Sequence, residues 1–226
     1  MKKSLNILSI LFFALIVFSN NSYAGNKPFN GIITYKISFP DSDFDAQTMS
    51  MLPKVATVMV KDNMMKTSIT MGMGTQTSIV DGNTKTTVSL IDMMGQKYAV
   101  RTTEEENFEE LEKYETSVEE TGETREIAGH DCKKVIVHVK NKETEDETDI
   151  TVFYTDKYEI GNIYSDKAMF EKINGLMLQY EIDTKGMKMV FTATDVKKKK
   201  VSDDEFEIPE GYTETTQEEL RRNFGG

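Results

Sequence analysis

Along most of this chain apolar and polar residues alternate one for one. That spacing puts one face of a β-strand in a core and the other in water. The stretch Phe29–Phe39 is the clearest case: Ile33, Tyr35, Ile37 and Phe39 fall on one face, Thr34, Lys36 and Ser38 on the other. Further strands are predicted over Val55–Lys61, Met64–Met71, Thr75–Val80, Thr84–Leu90 and Lys97–Thr102. A later group covers Lys133–Lys140, Thr148–Thr155, Leu176–Asp183 and Met187–Val196. Asp62-Asn63, Gly72 to Gly74, Asp81-Gly82-Asn83 and Gly95 punctuate the first group, and Asp81-Gly82 is the strongest hairpin signal. Roughly ten or eleven strands at hairpin spacing imply an antiparallel meander.

Three stretches leave that period. Phe44–Leu52 reads as a short helix after a turn, and Ser165-Asp166 is placed to cap another running to Asn174. Thr103 to Glu120 is crowded with glutamates, while Phe108, Leu111, Tyr114 and Val118 recur at helical spacing. Thr216-x-x-Glu219 is a capping box that opens a last helix, with Gly225 beyond its end. Glu143 to Asp149, between two strands, reads as a solvated loop.

The N-terminus follows a different logic. Lys2 and Lys3 precede the uninterrupted apolar run Ile10–Phe18, and Ser22-Tyr23-Ala24 follows, which is the pattern of a secretory signal peptide. The run is too short for a membrane span, which needs about 20 residues. Residues 1–24 are therefore expected to be a leader and residues 25–226 one domain, without an integral membrane segment. The periplasm is the expected compartment, with the exterior as the alternative. No cysteine stands at the cleavage site to take lipid, so a soluble protein rather than a lipoprotein is expected.

The full chain carries a formal net charge of -11, and losing Lys2 and Lys3 takes it to -13. Such a surface repels phosphate backbones and anionic headgroups, which argues against nucleic acid and against direct bilayer adsorption. Cys132 is the single cysteine, so no intramolecular disulfide is available.

Little in the chain resembles an active site. There is no glycine-rich phosphate loop, no Gly-x-Ser-x-Gly elbow and no His-Glu-x-x-His, so the expectation is a protein that is not an enzyme and uses no cofactor. Asp41-Ser42-Asp43-Phe44-Asp45 begins like a calcium loop, but Ala46 stands where glycine is required and Leu52 where the bidentate glutamate belongs. His130, Cys132 and His138 share one face of an unbroken strand. However, His130 and His138 would then lie roughly 26 Å apart, too far to share a metal, and Val135, Val137 and Val139 mark the other face as the apolar one. No metal site is assigned here.

Methionine is the compositional oddity, at 14 residues against no tryptophan. Pairs two apart, such as Met71/Met73 and Met187/Met189, point the same way in a strand. Thioethers fill irregular apolar space and adapt to varied partners. They also ligate Cu(I), which makes copper handling the alternative reading; a structural or protein-interaction module with a filled core is the other.

The runs Phe29-Asn30-Gly31-Ile32-Ile33-Thr34-Tyr35, Ile127-Ala128-Gly129-His130-Asp131-Cys132-Lys133-Lys134 and Phe206-Glu207-Ile208-Pro209-Glu210-Gly211-Tyr212 occur in this order. Together they resemble envelope domain-of-unknown-function families with a LolA/LolB-like (lipoprotein-localisation-factor) fold. The resemblance implies a mainly β protein: a strongly curved antiparallel sheet, an unclosed half-barrel, with short helices over its apolar concave side. It also implies a hydrophobic ligand, since each buried methylene contributes about 0.8 kcal/mol. Lipid, an acyl chain or a lipoprotein is the expected partner.

The expected cavity wall combines Ile33, Tyr35, Ile37 and Met71 with Val135, Val137 and Val139. Leu176, Leu178, Tyr180, Met187, Met189 and Phe191 complete it from the last strands. Phe44, Met51, Leu52, Met169, Phe170 and Ile173 are the expected lid.

Overall fold

The computed structural model describes residues 27–40, 43–72, 74–93, 95–160, 173, 175–184 and 187–224. The expected leader, and Met169 and Phe170 of the expected lid, lie outside the described residues. Strand β1 (Lys27–Pro28) leads into β2 (Gly31–Ser38), helix α1 (Ala46–Met51) and the hairpin series β3 (Val55–Lys61), β4 (Met64–Met71), β5 (Gly74–Asp81), β6 (Thr86–Met93) and β7 (Gln96–Thr102). Helix α2 (Glu104–Glu112) precedes β8 (Tyr114–Ile127), β9 (His130–Asn141), β10 (Glu147–Thr155) and the short β11 (Tyr158–Glu159). Then come β12 (Leu176–Thr184), β13 (Met187–Lys198), a 3-10 turn (Asp203–Phe206), β14 (Thr213–Thr215) and α3 (Gln217–Phe224).

Twelve of the strands form one open sheet in the order β14-β7-β6-β5-β4-β3-β2-β13-β12-β10-β9-β8, while β1 and β11 form a separate parallel pair. The pairing is antiparallel except for β14 on β7, so the sheet is mixed and curves into a half-barrel without closing.

The expected helix over the glutamate-rich stretch stops early. Only Glu104–Glu112 is helical, started by a capping box in which the Glu106 N–H donates to Thr103 Oγ1 at 3.3 Å and the Thr103 N–H to Glu106 Oε2 at 2.8 Å. Tyr114 and Val118 belong instead to the 14-residue strand β8. Their spacing of four is even, so it suits one face of a strand as well as one face of a helix. Threonines and Val118 favour the extended form, and pairing with β9 decides it. The β8–β9 turn is two residues, Ala128 (φ 49°) and Gly129 (φ 76°). Positive φ at both positions is what the right-handed twist of a tight hairpin demands.

The curvature has a local cause. Register slips at three places that lie side by side across half of the sheet: within β8 between Glu120 and Thr124, at Leu178 where β12 meets β10, and at Thr194 where β13 meets β2. Bulges bend a strand and increase its twist. The sheet curls so tightly here that β8 approaches β13, although three strands lie between them in the sheet.

The convex face is covered at the other end. Ile79, Val88, Leu90 and Ala99 form a small buried cluster under Phe206, Ile208 and Tyr212. Lys66 to Glu205 at 3.1 Å, together with the Lys61–Asp203 ion pair, fixes this C-terminal strap across the outside of β3–β7. Helix α3 then starts at a capping box, the Glu219 N–H donating to Thr216 Oγ1 at 3.1 Å.

Candidate functional site: the concave wall

Cross-strand register shows which side chains share the inner face. Ile33 stands opposite Val58, Tyr35 opposite Ala56 and Ala193, and Ile37 opposite Phe191. Phe191 in turn faces Tyr180, Tyr180 faces Val152, Val152 faces Val135, and Ile150 faces Val137. Every expected wall residue therefore falls in one contiguous apolar cluster. Met187, Met189, Leu176, Leu178 and Val139 are buried in it, and Met71 packs half-buried at its margin.

Three rings anchor the middle of the wall. Tyr180 stacks on Phe191 with centroids 4.6 Å apart, and Tyr35 tilts against Tyr180 at 5.7 Å. Burial pushes the phenols of both tyrosines up, and Tyr35 also feels Tyr180. Neither ionises under ordinary conditions, so the wall carries no charge at its centre.

The expected lid is placed unevenly. Phe44 and Leu52 pack against the cluster and Ile173 is buried in it, whereas Met51 is 41% exposed and α1 buries none of its residues. Asp45 caps that helix, its carboxylate accepting from the Thr48 N–H at 2.7 Å. Beside α1, a cleft of about 660 Å³ is lined by Ile37, Phe39, Pro40, Met49, Pro53 and Val55, with Lys36, Ser38 and Lys54 among them. Ile37 of the wall also lines this cleft, and Phe39 packs against the wall cluster, so the cleft adjoins the end of the wall at β2, while Lys36 and Val55 border it from the outward face.

The even-numbered face of β9 does not hold together as the unbroken alternation implied. Cys132 is 1% exposed, while the His138 side chain is 41% exposed. The phase changes at Lys133–Lys134, opposite the slip in β8, so Cys132 turns into the core alongside Val135. Burial pushes its thiol up to about 11. His138 sits outside between two carboxylates, Nδ1 donating to Asp149 at 2.6 Å and Nε2 lying 3.4 Å from Glu119. Among the described residues no three His, Cys, Asp or Glu side chains converge as metal ligands would.

One part of the wall was missed in the sequence. Thr67, Ser78 and Ser89 stand directly opposite one another on β4, β5 and β6 and share the inner face with Val58. Small hydroxyl residues in a strand read as outward-facing. Only the register, which puts Thr67 in phase with Met65 and Ile69, turns them inward.

No protein-family model matches the chain, and no curated protein matches it. Among solved structures the fold is similar to lipoprotein LppX of Mycobacterium tuberculosis, with a TM-score of 0.42 at 12% identity over 77% of this chain and 89% of that one. It is also similar to LprF from Mycobacterium bovis, with a TM-score of 0.31 at 9% identity over 77% of this chain and 88% of that one.

Proposed function

We propose that this protein is a non-catalytic binder of an apolar ligand or lipidated partner, held on the concave wall of the half-barrel outside the cytoplasm. One observation carries the reading: strands distant in sequence bring aromatic, aliphatic and methionine side chains into one buried apolar cluster, with Ile37, Phe191, Tyr180, Val152 and Val135 in cross-strand register along it. Thioethers at Met187 and Met189 give that surface an adjustable shape. Transfer of a chain of methylenes onto such a surface is favourable by about 0.8 kcal/mol each. Among the described residues no helix is long and apolar enough to cross a membrane. The leader-like N-terminus supports the compartment.

These wall side chains are shielded from water, so a ligand reaches them only by displacing what covers them. Native mass spectrometry of protein purified from its own host is expected to show a lipid-sized adduct. A fluorescent fatty acyl probe is expected to bind and to be displaced by unlabelled lipid. Absence of both would eliminate the reading.

A further inference from the structure

The concave wall is not uniformly apolar. Its β2–β13–β12 half carries the rings and methionines, while the β4–β6 part carries the row Thr67, Ser78 and Ser89. Adjacent strands lie about 4.8 Å apart, so the row spans about 10 Å from Thr67 to Ser89. Ser78 is 5% exposed and Ser89 3%, and Met65, Val80 and Ile69 around them are equally dry. Among the described residues Ser78 Oγ has no hydrogen-bond partner.

The outer face of the same strands shows what such residues ordinarily do. There Ser68 on β4 and Thr77 on β5 stand opposite each other and bond through their hydroxyls at 3.0 Å. The inner pair Thr67 and Ser78, one position along on both strands, forms no such bond among the described residues. A buried hydroxyl without a partner costs about 1–3 kcal/mol, and native cores rarely retain one without a use.

We infer that the hydroxyl row receives the polar end of an uncharged amphiphile, with Ser78 Oγ hydrogen-bonded to an ester or hydroxyl oxygen of the ligand while its chain lies over the ring-and-methionine half. The inference rests on the apolar-ligand reading above and adds the chemistry of the head. The row and its flanking residues Val58, Met65, Ile69, Val80 and Val100 contain no charged side chain. A carboxylate or ammonium set here is stripped of water without a counter-charge, whereas a neutral head exchanges water for hydroxyls. A matched chain length therefore isolates the head.

The test displaces an environment-sensitive acyl fluorophore with three ligands of one chain length: monododecanoylglycerol, dodecanoate and dodecyltrimethylammonium. The full protein and its Ser78→Ala variant are compared. The wild type is expected to favour the glycerol ester, and Ser78→Ala to weaken that ligand about ten-fold while leaving dodecanoate unchanged. Stability of the ligand-free variant is expected to be equal or higher, because the hydroxyl it loses had no partner. Three outcomes overturn the inference: equal affinity for all three heads, an equal loss for all three in Ser78→Ala, or a destabilised ligand-free variant. If no ligand of any head displaces the fluorophore from wild type, the apolar-ligand reading itself falls and this inference falls with it.

Discussion

The Tyr35 hydroxyl donates a 2.7 Å hydrogen bond to the main-chain carbonyl of Met177. The two residues sit on β2 and β12, which are not neighbours: β13 lies between them, and it presents the small Ala193 opposite Tyr35. The phenol passes over that alanine. Met177 adjoins the slip at Leu178, where the ladder between β12 and β10 loses its regular register and leaves a carbonyl for another donor. The bond ties the aromatic centre of the wall to the bend that shapes it.

Tyr35→Phe keeps the ring and removes the donor. The buried Met177 carbonyl loses this donor, so the loss is expected to be about 1–3 kcal/mol. Urea unfolding followed by far-ultraviolet circular dichroism measures it, and an unchanged midpoint would show that the bond holds nothing together.

Two glycines mark places where backbones touch. A Cβ on Gly31 would stand 2.1 Å from the Lys197 carbonyl oxygen, and one on Gly175 2.2 Å from that of Thr155. Backbone cannot swing aside as a side chain does, so Gly31→Ala and Gly175→Ala are each expected to destabilise by about 1–3 kcal/mol. The same denaturation experiment reads both.

Cys132 is expected to behave as a small hydrophobe. With its thiol pushed up to about 11 and the residue 1% exposed, it carries almost no thiolate at ordinary pH. Ellman's reagent at about pH 8 is expected to leave the native protein unlabelled and to titrate one thiol in guanidinium. Rapid native labelling would place the thiol at the surface.

The two histidines are expected to titrate on opposite sides of 6.5. The hydrogen bond His138 donates to Asp149, helped by Glu119, raises His138, whereas burial and then Lys157 lower His130. By linkage, His138 adds stability that is fully present below about 6.5 and fades as pH rises through its raised folded value. His130 works in reverse: what it contributes is present above about 6.5 and is lost as pH falls through its lowered value. A histidine-ring NMR titration distinguishes them, and Asp149→Asn is expected to bring His138 down while leaving His130 in place.

Much of the sheet was legible because alternation is a backbone property. Val55–Lys61 and Met64–Met71 form strands with the boundaries their patterns predicted, and the Asp81-Gly82 hairpin joins β5 to β6. The shared burial of Ile33, Tyr35 and Ile37 was legible for the same reason, because every second residue of a strand points the same way. What stayed hidden depends on slips of register. Nothing local in Lys133-Lys134 announces that the phase changes there, so Cys132 could not be assigned to a face. Glu115, Glu119 and Glu120 likewise made β8 look like a solvated helix, because its extended form is set by pairing with β9. Thr67, Ser78 and Ser89 were passed over because hydroxyls carry no inward signal of their own.

An open sheet has two borders, and either one is a template on which a second molecule could extend it. At one border β14 is only three residues long. At the other, β8 is long but studded with Glu115, Glu119, Glu120, Glu123 and Glu126, so two copies approaching along it repel. Mutual repulsion of this kind is screened by salt. Concentrated saline is therefore the medium in which these molecules should start to stack border to border, and dilute buffer the one in which they stay solitary.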